Sequence, residues 1–216
     1  LIHFSKRRPM SLVLPSLYSE LERPALENII TEISKIPYLE EIIIGLDKAT
    51  KEEFKSLQWK QADIILVTGD TYIDSPLSGI AVIGQILLKS GYRVGIIAQP
   101  DIDSDRDISR LGEPLLFWGV SSGAMDSLVS NYTAAKKKRQ RDDLTPGGIN
   151  NKRPDRALIA YTNLIKKYFK NTVPIILGGI EASLRRISHY DYWSNKIRRS
   201  VLLDSKADYL VYGMAE

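Results

Sequence analysis

The chain is expected to fold as an α/β domain with a doubly wound, mostly parallel sheet, flavodoxin- or Rossmann-like. Two observations predict it. Short β-branched apolar runs alternate with amphipathic helical stretches, and no hairpin signal separates them. The clearest unit is 62–100, ADIILVTGDTYIDSPLSGIAVIGQILLKSGYRVGIIAQP, which reads strand, loop, helix, strand. Ile64 to Val67 is a buried strand ending at Thr68, Gly69 and Asp70. Gly79 to Lys89 carries Ile80, Ile83 and Leu87 on one helical face, and Ser90-Gly91 stops it. Val94 to Ala98 is the next strand. Strands joined by a helix run parallel, and ligands of such sheets sit beyond the strands' carboxyl ends. Gly69 to Tyr72 and Gln99 to Asp101 therefore belong to the working edge.

The remaining elements follow in order. Ser11 to Leu14 is a strand that Pro15-Ser16 should break. Pro24 to Ile36 is a helix, and Glu41 to Leu46 a strand. Thr50 to Glu53 opens a short helix as a capping box, closed by Trp59. Ile108 to Leu111 reads as a short helix, Pro114 to Val120 as a strand and Met125 to Thr133 as a helix. Residues 134–151 form a polar loop, long enough to be functional or disordered. Pro154 and Asp155 open a helix to about Phe169, with Leu158, Tyr161, Ile165 and Tyr168 as its buried row. Val173 to Leu177 is a strand ending in Gly178-Gly179, Glu181 to Ile187 a short helix, and Ala207 to Tyr212 the last strand.

Composition sets limits on chemistry. The 216 residues contain no cysteine and two histidines, His3 and His189. Disulfides, thiolate nucleophiles, cysteine zinc sites, cysteine-ligated clusters and a histidine cage are all excluded from this chain. A net charge of +4 is too mild to argue for nucleic acid. No apolar run approaches a membrane span and no signal peptide is present, so the cytoplasm is the expected location. The chain opens without methionine and stops just after a strand, so a fragment of a longer polypeptide is expected.

Several motifs carry competing readings. Gly79 and Gly84 have phosphate-loop spacing, but Gln85-Ile86 stands where Lys-Ser/Thr is required, so helix packing explains both glycines. Gly119 to Gly123 is a G-x-S-x-G in strand-to-helix context, which makes Ser121 a candidate nucleophile with His189 as base. Asp126 or Asp155 would complete that triad, but plain turn geometry or close approach of a ligand to backbone is the better account. Asp101, Asp103 and Asp105 are either a magnesium or manganese site or solvated loop acids. The basic run Lys136 to Arg141 lacks interleaved aromatics and reads as a solvated loop. Arg185-Arg186 and Arg198-Arg199 flank a dense polar-aromatic stretch, His189 to Trp193. Paired arginines can clamp phosphate or carboxylate, and a salt-bridged surface turn is the alternative.

Residues from about Thr50 to Glu216 closely resemble the N-terminal domain of the YgiQ family of radical SAM proteins. The resemblance is carried by ADIILVTGDTYIDSPLSG (62–79), GYRVGIIAQPD (91–101), LGEPLLFWGVSSGAMDS (111–127), Tyr132-Thr133, the KRPDRA run (152–157) and PIILGGIEASLRRISHYDYWSNKIRRSVLLDSKADYLVYGMAE (174–216). It implies a reductive radical enzyme in full-length form, dependent on S-adenosylmethionine and a four-iron, four-sulfur cluster held by three cysteines. None of those cysteines is in this chain. The module should be catalytically silent alone. Its partners would be a C-terminal radical SAM barrel and an unidentified small-molecule substrate. More loosely, the domain looks like cobalamin-binding domains that precede many such barrels. The Asp-x-His-x-x-Gly signature is unmet, however: Asp74 and Gly79 are present without the histidine. Cobalamin is not expected.

Residues 11–49 instead resemble the start of a nucleotide-sugar glycosyltransferase of the glucosyl- or mannosyl-glycerate type. That implies Pro15, Ser16 and Glu20 near a nucleotide and Asp47 ending the next strand; a transferase reading adds manganese near Glu20 and Asp103. The two resemblances meet at Lys48 to Glu53 and suggest a hybrid chain, 1–49 and 50–216, whose head could add strands to the neighbouring sheet. The expected edge residues are Thr68, Gly69, Asp70, Ser121, Gly123, Gly178, Gly179, Glu181, Arg185, Arg186 and Tyr190. His189 and Asp191 are candidates to orient groups or exchange protons. No residue is assigned to a metal.

Overall fold

The computed structural model describes residues 10–17, 24–37, 39–47, 60–71 and 78–213. The chain divides into two compact units, Leu1–Ser56 and Leu57–Glu216. Among the described residues, no helix is long and apolar enough to cross a membrane.

The first unit contains β1 (Met10–Leu17), α1 (Pro24–Ser34) and β2 (Leu39–Asp47). β1 and β2 pair in parallel from Met10↔Leu39 to Leu17↔Asp47. Pro15-Ser16 does not break β1, contrary to expectation. A proline lacks only the donor on its own nitrogen, so a strand with an unpaired side accommodates it. β2 ends at Asp47, as the sequence predicts. Glu20 and the capping box at Thr50 to Glu53 lie outside the described residues.

The second unit is built on β3 (Ile64–Thr68), α2 (Gly79–Lys89), β4 (Val94–Ala98), β5 (Phe117–Ser121), α3 (Ser127–Asn131), α4 (Ala157–Tyr168) and β6 (Ile175–Gly178). It continues with α5 (Gly179–Leu184), β7 (His189–Asp191), β8 (Lys196–Arg198), α6 (Val201–Ser205) and β9 (Tyr209–Leu210). Its sheet runs β4-β3-β5-β6-β9 with every pairing parallel. Counted along the unit that is 2-1-3-4-5, the flavodoxin-type order, with the switch point between β3 and β5.

All five residues of β3 are buried, as a central parallel strand requires. Its alternate side chains serve opposite faces. Ile64 and Leu66 pack with Ile80, Ile83 and Leu87 of α2. On β5, Trp118 is fully buried, donates its indole N–H to Thr172 Oγ1 at 2.9 Å and meets Phe169 beyond α4 at 5.2 Å. Leu158, Tyr161 and Ile165 are the buried row of α4, while Tyr168 is only half-buried. Each fully buried aliphatic side chain contributes about 1.5–3 kcal/mol, so these two layers hold the sheet. Gly84 packs as expected, facing Leu66 and Ile96, but Gly79 meets nothing and is simply the first residue of α2. Ser78 caps that helix, accepting from the Ala81 amide.

Two expectations are corrected. Residues 105–112 form successive turns, with Ser109 N donating to Asp105 O and Gly112 N to Ser109 O, not a helix. An antiparallel hairpin, β7–β8, pairs Tyr190 with Ile197 where no hairpin was expected. In the 134–151 loop the basic run Lys136 to Arg141 is exposed, as its solvated reading expects, whereas Asp142, Thr145 and Asn150 beyond it are buried, so the loop is ordered against the body.

Candidate functional site

The carboxyl ends of the strands align in one row. Ala98 pairs with Thr68, Thr68 with Ser121, and Ser121 with Gly178. The turns after β3, β5 and β6 thus share a rim, where a parallel sheet presents its ligand crevice.

Between β3 and β5 that crevice is occupied by the protein itself. Asp70 follows β3 and is buried. Its Oδ2 accepts from the Ala124 amide at 2.5 Å, and its Oδ1 lies 2.6 Å from Arg153 Nη2, an ion pair without the alignment of a hydrogen bond. The other arm of Arg153, Nη1, donates to Ser122 O at 3.3 Å and Ser130 Oγ at 3.1 Å. Nη2 also reaches Asp142 Oδ2 at 3.2 Å. Burial pushes the Asp70 carboxyl up, and the Ala124 amide and Arg153 offset only part of that shift. Gln99, at the end of β4, holds φ at 45° and sends Nε2 to Gly69 O at 2.9 Å and Thr145 Oγ1 at 2.7 Å. The Thr71 amide donates to Leu144 O at 2.9 Å. The 142–153 segment is therefore stitched across the switch point.

Backbone closeness dictates the glycines here. A Cβ on Gly69 would overlap Ser122 O, and one on Gly123, at φ 102°, would overlap the Asp70 carboxylate. Gly179, at φ 82°, faces Ser121 Oγ so closely that a Cβ would intrude. Gly178 has open space around it.

A second polar cluster lies beneath β6 and α5. Glu181 is fully buried; its Oε2 accepts from the Ser127 amide at 2.9 Å, and its Oε1 has no hydrogen-bond partner. Burial pushes this carboxyl up. The buried Tyr161 hydroxyl also lacks a partner, and burial pushes its pKa up. Asp126 caps α3, accepting from the Leu128 amide at 3.0 Å, and receives Arg185 Nη1.

The expected site residues separate accordingly. Thr68, Gly69, Asp70, Ser121, Gly123, Gly178 and Gly179 come together on the rim, and Glu181 lies below it. Arg185 and Arg186 do not form one clamp. Arg185 is committed to Asp126, whereas Arg186 donates to Ser183 O at 2.7 Å and stacks 5.3 Å from the Tyr212 ring. Ser121 and His189 do not form a nucleophile–base pair. Ser121 Oγ accepts from the Gly123 amide at 3.1 Å; His189 Nδ1 contacts Ile187 O at 3.1 Å and its Nε2 has no partner. The hydrolase arrangement is not assembled. Asp191 is buried; burial raises its carboxyl, but Ser194 and Arg156 overcome that and hold it down to about 2. It fastens the hairpin to Arg156 at 2.5 Å. Tyr190 is exposed and donates to Asn195 Oδ1 at 2.5 Å.

Asp101, Asp103 and Asp105 do not converge. Asp101 accepts from the Asp103 amide and the Ser104 hydroxyl, and no group of three or more His, Asp or Glu among the described residues could hold a metal ion. The sequence reading missed Asp142 and Arg153, and offered Asp126 only as a triad acid, whereas it caps α3 and pairs with Arg185. Arg153 stood inside the KRPDRA run, but its two carboxylate partners are 11 and 83 residues away along the chain.

The radical SAM N-terminal family profile matches residues 48–216. This chain belongs to the radical SAM N-terminal family. UPF0313 proteins are close relatives of this family member: 63% identity over 167 residues with one from Thermotoga maritima, 59% over 167 with one from Methanocaldococcus jannaschii and 57% over 168 with one from Fusobacterium nucleatum. Each alignment covers 77% of this chain but only 29%, 27% and 30% of the respective relative. The chain therefore spans under a third of the length of the curated relatives it matches. No solved structure matches this radical SAM N-terminal domain.

Proposed function

We propose that this domain is the non-catalytic N-terminal module of a radical SAM protein and acts as a rigid platform for a catalytic portion elsewhere in the same polypeptide. The observation that carries this reading is the donor set. Clusters of the radical SAM type are held by cysteine thiolates, and this chain contains no cysteine. Its carboxylates do not substitute for them: Asp70, Asp126 and Asp191 are each spent on an arginine. These residues do not fit the cluster, so the radical chemistry falls to other residues of the whole protein.

What this chain's residues contribute is a fixed rim. Arg153 neutralises Asp70 and Asp142 inside the switch-point crevice, which closes the usual nucleotide position and locks the turns after β3 and β5. The open part of the rim is then Gly178 and Gly179, whose backbone a substrate or the catalytic portion approaches closely. Anaerobic reconstitution with iron and sulfide, followed by calorimetry with S-adenosylmethionine, tests the proposal. The expected result is no cluster absorbance and no saturable heat on this chain alone. A reconstituted cluster, or stoichiometric S-adenosylmethionine binding, would overturn it.

A further inference from the structure

The flank of the sheet formed by α5 and β9 carries apolar side chains that are exposed among the described residues. Ile180 and Leu184, one helical turn apart on α5, are 43% and 58% exposed, and Ile187 just beyond is 64% exposed. Tyr212, after β9, is 65% exposed. The segment after β9 lies against α5 and the residues just beyond it: the Gly213 amide donates to Ser183 Oγ at 3.1 Å, and Arg186 stacks on Tyr212. β9 pairs only with β6, so its outer edge is unpaired within the five-stranded sheet. Large apolar side chains grouped beside an open strand edge mark an interaction surface.

The occupant follows from the relatives. The matched family is N-terminal by description, and the matched segment makes up 27–30% of the UPF0313 proteins. More than two thirds of each relative lies outside the match, and a segment that is N-terminal by description has its remainder after it. The last described residue, Gly213, is held on α5 by its bond to Ser183.

We propose that the α5–β9 flank, centred on Ile180, Leu184, Ile187 and Tyr212, is the docking surface for the polypeptide that follows this domain in the full-length protein. This rests on the platform reading above and names its contact face. The contact is apolar and lies beside the rim, not in the switch-point crevice that the 142–153 segment fills. It covers the open edge of β9 and ties the catalytic portion rigidly to the rim.

The experiment uses a chimaera in which residues 48–216 replace the matching segment of the Thermotoga maritima UPF0313 protein. Hydrogen exchange is compared between that chimaera and the 216-residue chain. Amides of 180–187 and 209–213 are expected to exchange about tenfold more slowly in the chimaera, through loss of local opening. The double substitution Leu184→Asp, Ile187→Asp should abolish that protection in the chimaera and leave the circular dichroism of the 216-residue chain unchanged. Ile149→Asp, at an exposed site on the 142–153 segment, should leave the protection intact. Equal exchange in both proteins overturns the proposal. So does a concentration-dependent dimer of the 216-residue chain that protects the same amides, because the occupant would then be a second copy. Iron and sulfide content of the chimaera separates the two readings. A cluster that forms without protection of this flank refutes the docking surface alone.

Discussion

At the residue scale, one arginine decides the integrity of the rim. The Arg153 side chain is fully buried between Asp70 and Asp142. Replacing it with methionine leaves two carboxylates in a dry site without a counter-charge. Removing one partner of a buried pair costs about 3–5 kcal/mol, so Arg153→Met should lower the urea midpoint accordingly. Arg153→Met with Asp70→Asn should recover part of that loss. Gly123→Ala forces a methyl group into the Asp70 carboxylate at a positive φ and should cost about 1–3 kcal/mol by the same measurement. The buried Glu181 gives a pH-dependent effect. Its carboxyl is raised above the ordinary 4.5 by burial, so the folded state holds a proton that the unfolded chain releases. That contribution to stability is fully present below pH 4.5 and is lost as pH rises through the folded value. Glu181→Gln keeps an acceptor for the Ser127 amide without the charge. Its stability advantage over the parent, read from urea midpoints, should therefore grow as pH rises above 4.5 and level off above the folded value. Asp191 runs the other way: held down to about 2, it contributes stability above its ordinary 3.8 that is lost as pH falls from there toward 2.

At the scale of elements, legibility tracked the range of the interactions. β3, α2 and β4 were readable almost residue by residue, because their periodicity and the Ser90-Gly91 stop are local signals. The rim was also legible: parallel strands ending in glycine turns had to meet on one side, and Thr68, Ser121 and Gly178 do. The β7–β8 hairpin was not, since each strand has three residues and its turn lacks an Asn-Gly or Asp-Gly pair. Asn195, at φ 52°, was the one local hint. The basic run of the 134–151 loop is exposed as read, but the loop's buried part was illegible because Asp142 meets Arg153 beyond the loop. Aromatic neighbours also come from afar: Trp193 meets the Tyr132 ring at 5.3 Å, and Lys136 lies 4.5 Å over Tyr192. Arg185 and Arg186 looked like one device because they are adjacent, yet helix geometry sends adjacent residues to different surroundings. The hairpin is held to the body by Arg156–Asp191 and by Lys136 Nζ on Tyr192 O. Arg156→Ala should therefore release it. Amides of 189–198 should exchange faster while those of β3 and β5 stay protected, since the sheet does not depend on this ion pair.

At the scale of the whole molecule, the two units invite separation. The family match begins at residue 48, and the compact second unit begins at Leu57. The second unit owns a complete five-stranded sheet with helices on both faces and a core of Ile64, Leu66, Trp118, Leu158 and Tyr161. The first contributes one parallel strand pair and α1, whose only buried residue is Leu26. An isolated two-stranded sheet is marginal in water. Residues 57–216 expressed alone should therefore keep the main urea transition of the full chain, with its midpoint shifted by no more than the error of the measurement. Residues 1–56 alone should show no cooperative transition. Coincident loss of both signals at a lowered midpoint in the truncated chain would mean that the head is part of the same folding unit, and that the boundary between the two resemblances is not a structural one.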